Sequence, residues 1–337
     1  MPKSIFITKN GGPEVLQFKE SPHVELGPHD VRIEVRASGI NFADLMMRMG
    51  LYPEAPKTPF IPGYEVAGMV TEIGVNVSRV KKGDRVFAGC KFGGYTTELV
   101  VTEANVYGTP GKLSDAEAAG IPVNFMTAWI ALHEMGRVRK GDRVLVQSAA
   151  GGVGTAAIQI AARAGAHVVG TIGSPQKAQT VKDLGAKEVI LNSEWENGSD
   201  SDLGDYDIIL DPIGGASLKR SFRRLGTAGR IVCYGMSTAV GKKKSLPRLA
   251  SMLLNTPLYT PFQLMMANSG IYGLNLLKYF EPKNAPKLLK TMDELLKGFE
   301  REEYRVIVGK KFPLEKAGDA QEYLQSRANI GKAILEC

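Results

Sequence analysis

The stretch Ser148–Lys177, SAAGGVGTAAIQIAARAGAHVVGTIGSPQK, sets a glycine turn between an apolar run and a helical pattern. Ala149, Gly151 and Gly154 occupy the three small positions of a dinucleotide-binding fingerprint. The second lets backbone approach a pyrophosphate, and the third lets the helix pack against its strand. The turn and first helical residues, Ala150, Gly151, Gly152, Val153 and Gly154, would present N–H groups to an anion at the helix N-terminus. A ribose with free hydroxyls calls for Asp or Glu roughly 20 residues further on. This chain offers Gly170, Thr171, Gly173, Ser174 and Lys177 there, and no acid. A carboxylate would repel a 2′-phosphate, whereas a hydroxyl and an ammonium would hold one. A lone helix lysine is ordinarily a surface lysine; the missing acid tips Lys177 towards phosphate binding, and the cofactor expected is NADPH.

These residues need a strand, a turn and a helix in that order, and the surrounding pattern supplies them. From Arg143 onward, apolar strands alternate with helices: RVLVQSA, HVVGT, EVILN, YDIILD and GRIVCYG are strands, with helices from Val153, from about Pro175 and over SLKRSFRRL. Such alternation predicts a parallel sheet covered on both faces. The first third reads differently. SIFIT, VLQFKE, VRIEVRASGI, YEVAGMVTEIG and YTTELVV are strand-like runs separated by turn residues, which predicts a barrel-like domain. Ser114 and Glu117 have capping-box spacing ahead of a helical stretch broken near Pro122. IYGLNLL reads as a late strand at the sheet edge. YRVIVGKKFP and GKAILE, flanking a helix at LEKAGDAQEYLQS, return to the first pattern. The expected fold is thus an α/β doubly wound sheet inserted into a β-barrel-like domain, with boundaries at 1–124, 125–268 and 269–337.

The 337 residues suit about two domains. No apolar run reaches the ~18 residues of a membrane span, and the start MPKSIFITKN lacks the apolar middle of a secretory signal. A cytoplasmic protein is expected. The net charge is +7, yet the one dense basic run, Gly241–Arg248, comes with no nucleic-acid module. Cys90, Cys233 and Cys337 form no CxxC pair and read as buried small residues and a frayed terminus. The four histidines, His23, His29, His133 and His167, are scattered.

SGINFADLMMRMGLYP, PGYEVAGMVTEIG, AAGGVG, GTIGSPQKAQ, DPIGG and RANIGKAILE together resemble the medium-chain dehydrogenase/reductase superfamily, in its zinc-independent quinone oxidoreductase family. YGMST, KKKSLPRLA and QLMMANSGIYGLNLLKYF look most like its vesicle amine transport protein-like branch. The resemblance implies a GroES-like catalytic domain carrying an inserted Rossmann-type NADP-binding domain. Zinc relatives have a Cys where this chain has Asn41 and Gly-His-Glu where it has Gly63-Tyr64-Glu65; the four-cysteine lobe is absent. No metal is expected.

By the same resemblance Asn41 and Thr127 lie beside the nicotinamide. Tyr234, Gly235 and Met236 follow a strand end where cofactors sit, and Gly273, Leu274 and Arg327 match positions near the nicotinamide and pyrophosphate. Asn41, Tyr52 and Tyr64 are the candidate catalytic donors, against readings as a turn residue and as core tyrosines. Asp44 reads as a helix-start acid. Similar enzymes often carry tyrosines where this chain has Met46 and Asn192; Asn192 stays a cofactor-side candidate, without the ring. The implied activity is metal-free hydride transfer to a quinone or enone by a homodimer paired through the sheet edge. The alternative is a nucleotide-binding, weakly membrane-associating protein with little catalysis, suggested by the basic, Met-rich stretch Lys242–Asn268.

Overall fold

The computed structural model describes residues 1–198, 204–241 and 246–337; Lys242, Lys243, Lys244 and Ser245 of the basic run noted above lie outside them. The chain divides into two compact units, Met1–Val123 with Leu276–Cys337, and Asn124–Asn275.

The first unit begins with β1 (Lys3–Ile7) and β2 (Leu16–Glu20), an antiparallel ribbon. There follow β3 (Asp30–Ile40), α1 (Phe42–Arg48), β4 (Glu65–Ile73), β5 (Arg85–Gly89), β6 (Glu98–Thr102), β7 (Val106–Gly108) and α2 (Asp115–Ala118). Ser114 caps α2 with Glu117 in the expected box. α3 (Pro122–Trp129) then carries the chain onward and runs into a π-helical turn, Ile130–Met135. β3 organises this unit. Its first half, Asp30–Glu34, pairs with β6, and its last residues, Ala37–Ile40, pair with the returning C-terminal strand. Its other flank is taken by β4. Val31, Ile33 and Val35 from β3 meet Val66 and Val70 from β4 and Val86 and Ala88 from β5 in the core.

In the second unit come β8 (Arg143–Val146), α4 (Gly152–Arg163), β9 (His167–Ile172), α5 (Ala178–Asp183), β10 (Glu188–Leu191), α6 (Asn192–Asn197), β11 (Tyr206–Asp211), α7 (Ala216–Arg223), β12 (Leu225–Cys233), α8 (Leu246–Asn255), α9 (Pro261–Ala267) and β13 (Gly270–Gly273). The sheet order is β10-β9-β8-β11-β12-β13, every pair parallel. Counted from β8, this is the doubly wound order that reverses between its first and fourth strands, here β8 and β11. Leu145, Val169, Ile209 and Ile231 form the centre of its core.

The return to the first unit supplies α10 (Ala285–Glu300), β14 (Val308–Pro313), α11 (Ala317–Gln325) and β15 (Lys332–Glu336). β14 and β15 join the sheet beside β3.

Three expectations change. The edge strand is shorter than IYGLNLL, because the chain turns into a 3-10 helix at Leu276–Lys278. That strand pairs with β12 at the sheet edge as expected, but the return to the first unit begins at Leu276 and not at 269. Cys337 is not frayed: its N–H donates to the Arg36 carbonyl at 3.1 Å, and its Sγ lies 3.3 Å from the Thr96 carbonyl.

Candidate functional site

In the second unit the chain leaves β8 and turns sharply at Ser148, which adopts a left-handed φ of 54°. The loop is pinned to the next strand: Ala149 N–H donates to the Thr171 carbonyl at 2.9 Å, and Ser148 N–H to Thr171 Oγ1 at 3.3 Å. Gly151 caps α4 in extended backbone. A side chain at Gly154 would put its Cβ 2.4 Å from the Ser148 carbonyl oxygen, so that glycine sets the closeness of helix and loop. At Gly151 a Cβ would meet only that same oxygen, at 3.2 Å. Gly151, Gly152 and Val153 are half-buried, while Ala150 and Gly154 are buried beneath them. The first-turn N–H groups of a helix lack intrahelical acceptors, and an open glycine edge over them is what a pyrophosphate needs. These residues fit the dinucleotide expected from the sequence.

β9 ends at Ile172, and Ser174 caps the 3-10 turn Pro175–Lys177. Lys177 is half-buried, and burial pulls its ammonium below the usual lysine range. A Cβ at Gly173 would meet nothing nearer than Asn192 Nδ2, at 3.8 Å. Asn192 therefore borders the same exposed corner as Gly173, and this corner carries no carboxylate at Gly173, Ser174, Lys177 or Asn192. Gly170 is buried in β9, where a Cβ would meet Ala149 Cβ at 2.8 Å and Val181 Cγ1 at 2.9 Å. It spaces the strand from the loop and from α5.

At the C-terminal end of β11, Asp211 is buried, and its Oδ1 accepts the N–H groups of Ile213 at 2.7 Å and Gly214 at 3.0 Å. Burial raises its pKa despite those bonds. Tyr234 N–H donates to the Asp211 carbonyl at 3.1 Å. Gly235 lies against Pro212, where a Cβ would come 2.8 Å from its carbonyl oxygen; Met236 beside it is exposed. Gly273 is open, and Leu274 is buried with its N–H on the Cys233 carbonyl. Gln147, beyond β8, donates to Ser221 at 2.8 Å and accepts from Ser217 at 2.9 Å. This brace was not singled out by motif, since a lone Gln after a strand carries no signal. Thr127, on α3, is buried.

The remaining candidates are in the first unit. Asn41 caps α1, and its N–H donates to Asp44 Oδ2 at 2.7 Å. Asp44 is thus the helix-start acid expected. Its Oδ2 also accepts the Tyr95 hydroxyl at 2.9 Å, and complete burial lifts its carboxyl to about 7. Asn41 Nδ2 donates to Glu65 Oε1 at 2.9 Å and faces the Gly39 carbonyl at 3.5 Å. Its Oδ1 accepts from Lys332 Nζ at 2.6 Å, and Lys332 also pairs with Glu65. The amide carries two hydrogens: Glu65 holds one, and the other has only the 3.5 Å contact with the Gly39 carbonyl. Lys332 and Glu65 had no place among the expected site residues, because 291 positions separate Lys332 from Asn41. A lysine opening the strand that runs on through Ala333, Ile334 and Leu335 was the signal for it.

Tyr64 is buried among Ile7, Phe60 and Met47, its hydroxyl 3.5 Å from Met47 Sδ. Desolvation drives that hydroxyl far above the ordinary tyrosine range. Tyr52 is half-buried; burial raises its pKa, offset by a hydrogen bond with Tyr64. Tyr52 is therefore the more accessible of two linked hydroxyls. Arg327 also belongs to this unit, with a left-handed φ of 59° after α11. Among the described residues no group of three or more His, Cys, Asp or Glu is arranged to hold a metal ion. Cys90, buried beside Gly63, accordingly behaves as a core residue, its thiol held up by desolvation.

Two family models match the chain: the alcohol dehydrogenase GroES-like domain over residues 27–131, and zinc-binding dehydrogenase over residues 152–294. The synaptic vesicle membrane protein VAT-1 homolog of Rattus norvegicus is 33% identical over 340 residues, covering 99% of this chain and 83% of the relative. The quinone oxidoreductase of Lama guanicoe is 31% identical over 341 residues, covering 99% and 97%. Among solved structures, Escherichia coli quinone oxidoreductase complexed with NADPH aligns with a TM-score of 0.86 at 28% identity, covering 99% of this chain and 100% of that one. The human VAT-1 homolog-like protein aligns at 0.85 and 27%, covering 100% and 98%. With a GroES-like unit, a Rossmann-type unit in the 3-2-1-4-5-6 order and relatives matched end to end, the chain belongs to the zinc-independent quinone oxidoreductase family of the medium-chain dehydrogenases/reductases.

Proposed function

We propose that this chain is an NADPH-dependent reductase of quinones or α,β-unsaturated carbonyls that works without a metal. The observation that carries the reading is the end of β9, where Ser174, Lys177 and Asn192 stand and the ribose-binding acid is missing. The amides of Gly151, Gly152 and Val153 at the start of α4 would hold the pyrophosphate, with Ala150 and Gly154 shaping the loop. Ser174 and Lys177 would hold the 2′-phosphate, with Asn192 and Gly173 bordering the adenosine ribose. Thr127, Asn41, Tyr234, Gly235, Met236, Gly273, Leu274 and Arg327 are assigned to the rest of the cofactor by family resemblance. The bound cofactor supplies a hydride.

What this chain contributes is orientation and a proton. The Asn41 amide, fixed by Glu65 and Lys332, offers a rigid wall. Tyr52, kept protonated by burial and linked to Tyr64, is the proton donor this reading favours. A quinone or enone spreads the incoming negative charge by conjugation, so it needs less polarisation by the site than a simple ketone does.

The test is a titration of NADPH and NADH against the wild type and Lys177→Ala, with an acceptor panel run in parallel. Charged hydrogen bonds of about 1.5–3 kcal/mol predict a tenfold to hundredfold preference for NADPH, falling in the variant. Equal wild-type affinities would sink the proposal.

A second reading rests on the apolar side chains of α8, α9 and the segment between them. Leu254, Leu258, Phe262, Met265 and Met266 are 86%, 90%, 65%, 65% and 67% exposed. Such a patch fits a second copy of the chain or a lipid surface. Among the described residues no helix is long and apolar enough to cross a membrane. Cosedimentation with liposomes at two salt concentrations separates the two: recruitment without turnover would replace the reductase reading with a lipid-associated one.

A further inference from the structure

An ammonium and a carboxylate face each other deep inside the first unit. Lys332 opens β15 and is 3% exposed; Glu65 opens β4 and is fully buried. The pair is not alone. Lys332 Nζ donates to Asn41 Oδ1 at 2.6 Å, and Asn41 Nδ2 donates to Glu65 Oε1 at 2.9 Å, closing a triangle. The other Glu65 oxygen accepts the Val123 N–H at 2.7 Å, in the first turn of α3, where helical N–H groups lack acceptors of their own. The Glu65 carbonyl accepts the Ser38 hydroxyl at 3.0 Å. One carboxylate thus holds the starts of two helices, α1 through its cap Asn41 and α3 through Val123.

The triangle also decides which way the Asn41 amide faces. Its two ends are nearly the same in shape and opposite in polarity. Turned over, the NH2 group would meet an ammonium and the oxygen would meet a carboxylate. Both contacts would be repulsive, between groups that are all buried. In the zinc enzymes that this family resembles, the residue at Asn41 is a ligand cysteine and the one before Glu65 is a ligand histidine. Here a cation of the chain's own lies against the side chain at the first of those positions.

We infer that Lys332 is a positioning residue: its buried ammonium offsets the charge of Glu65 and fixes the facing of the Asn41 amide, so that α1 and α3 start in one geometry. The inference deepens the reductase reading and rests on it only for the kinetic consequence. A merely structural ion pair would behave differently, because exchanging both members of a buried pair for neutral groups is often harmless to stability.

The experiment uses the full chain and the double variant Lys332→Met/Glu65→Gln, which removes both charges of the pair together. With 15N-labelled asparagine, solvent exchange of the Asn41 side-chain amide is measured without cofactor. It should be at least tenfold faster in the double variant. With NADPH and a quinone, kcat should fall at least tenfold, while NADPH affinity, set by the α4 loop, stays within threefold. Asn41→Leu keeps the ion pair and removes the amide; it should lose kcat to a similar extent, and it serves if the double variant fails to fold. Wild-type exchange with wild-type kcat in the double variant, or wild-type kcat in Asn41→Leu, overturns the inference. A wild type that reduces no acceptor ends the reductase reading, and the exchange rates still decide the role of Lys332.

Discussion

Alanine at Gly154 and alanine at Gly151 should fail in opposite ways. At Gly154 the new methyl would lie 2.4 Å from the Ser148 carbonyl oxygen, 2.7 Å from that of Ala149 and 2.8 Å from the Ala149 carbonyl carbon. All three atoms are backbone, and the loop they belong to is tied to β9 through Thr171. Ordinary carbon contacts lie near 3.5–4.0 Å, so loop and helix must separate by about 1 Å. Overpacking of this kind costs roughly 1–3 kcal/mol, and rigid neighbours push it to the top of the range. At ~2–4 °C per kcal/mol, the cofactor-free protein should melt about 6–12 °C lower. At Gly151 the methyl meets one oxygen at 3.2 Å with an ordinary backbone φ of −78°. The melting point should move by about 2 °C or less, consistent with a cost under ~1 kcal/mol. That methyl would instead occupy the space a pyrophosphate needs, so cofactor affinity should fall about tenfold to hundredfold. Calorimetry without cofactor and fluorescence titration with it read the two effects separately. If both variants melt alike and bind alike, the division of labour between these glycines is wrong.

Asp44 is held near 7 by burial, above its ordinary 3.8. A raised carboxyl pKa favours the folded state at low pH and loses that contribution as pH climbs through 3.8 to about 7. The stability difference between wild type and Asp44→Asn should therefore shift in favour of the variant across that window, followed by denaturation at several pH values; a constant difference would count against it. Dialysis against a strong chelator, with metal loss verified by elemental analysis, should leave turnover unchanged, and activity restored only by zinc would contradict the metal-free reading. Light scattering should give a dimer. Leu274 N–H donates to the Cys233 carbonyl, and alternate residues of a strand face the same neighbour, so Tyr272 also faces β12 while Ile271 and Gly273 face outward. Ile271→Pro should then weaken the dimer and leave the sheet intact, and a monomeric wild type would mean that the edge is covered from within.

What could be read in advance was local. The second unit announced itself because each parallel strand is a continuous apolar run and each turn carries its own glycine or proline. The glycine loop between β8 and α4 was legible for the same reason: strand, turn and helix lie within one short stretch. β5 and β7 escaped notice because they are five and three residues long and lack a clear alternation. β13 was drawn too long, since NLL continues the apolar pattern past the point where the chain turns into a 3-10 helix. The first-unit site was legible only in part. Asn41 and Asp44 are neighbours in sequence, and their capping relation follows from spacing. Tyr95 and Lys332 reach them from 51 and 291 positions away. No periodicity reports such encounters. Resemblance to relatives marked Asn41 as facing the reaction, and its bonds to Glu65 and Lys332 could not be read from that resemblance.

β15 lies between β14 and β3, and it carries Lys332. A ribosome makes β3 long before it makes β15. For all the time that residues 124–275 are being synthesised, the Ala37–Ile40 end of β3 has no partner on that flank, and Glu65 has no ammonium. The second unit, contiguous in the chain, can close on its own as it emerges. The first must wait half-built, with an open strand edge of the kind that invites pairing with another chain. During biosynthesis, then, the GroES-like unit is the one that needs protection, and its sheet is completed only when β15 appears.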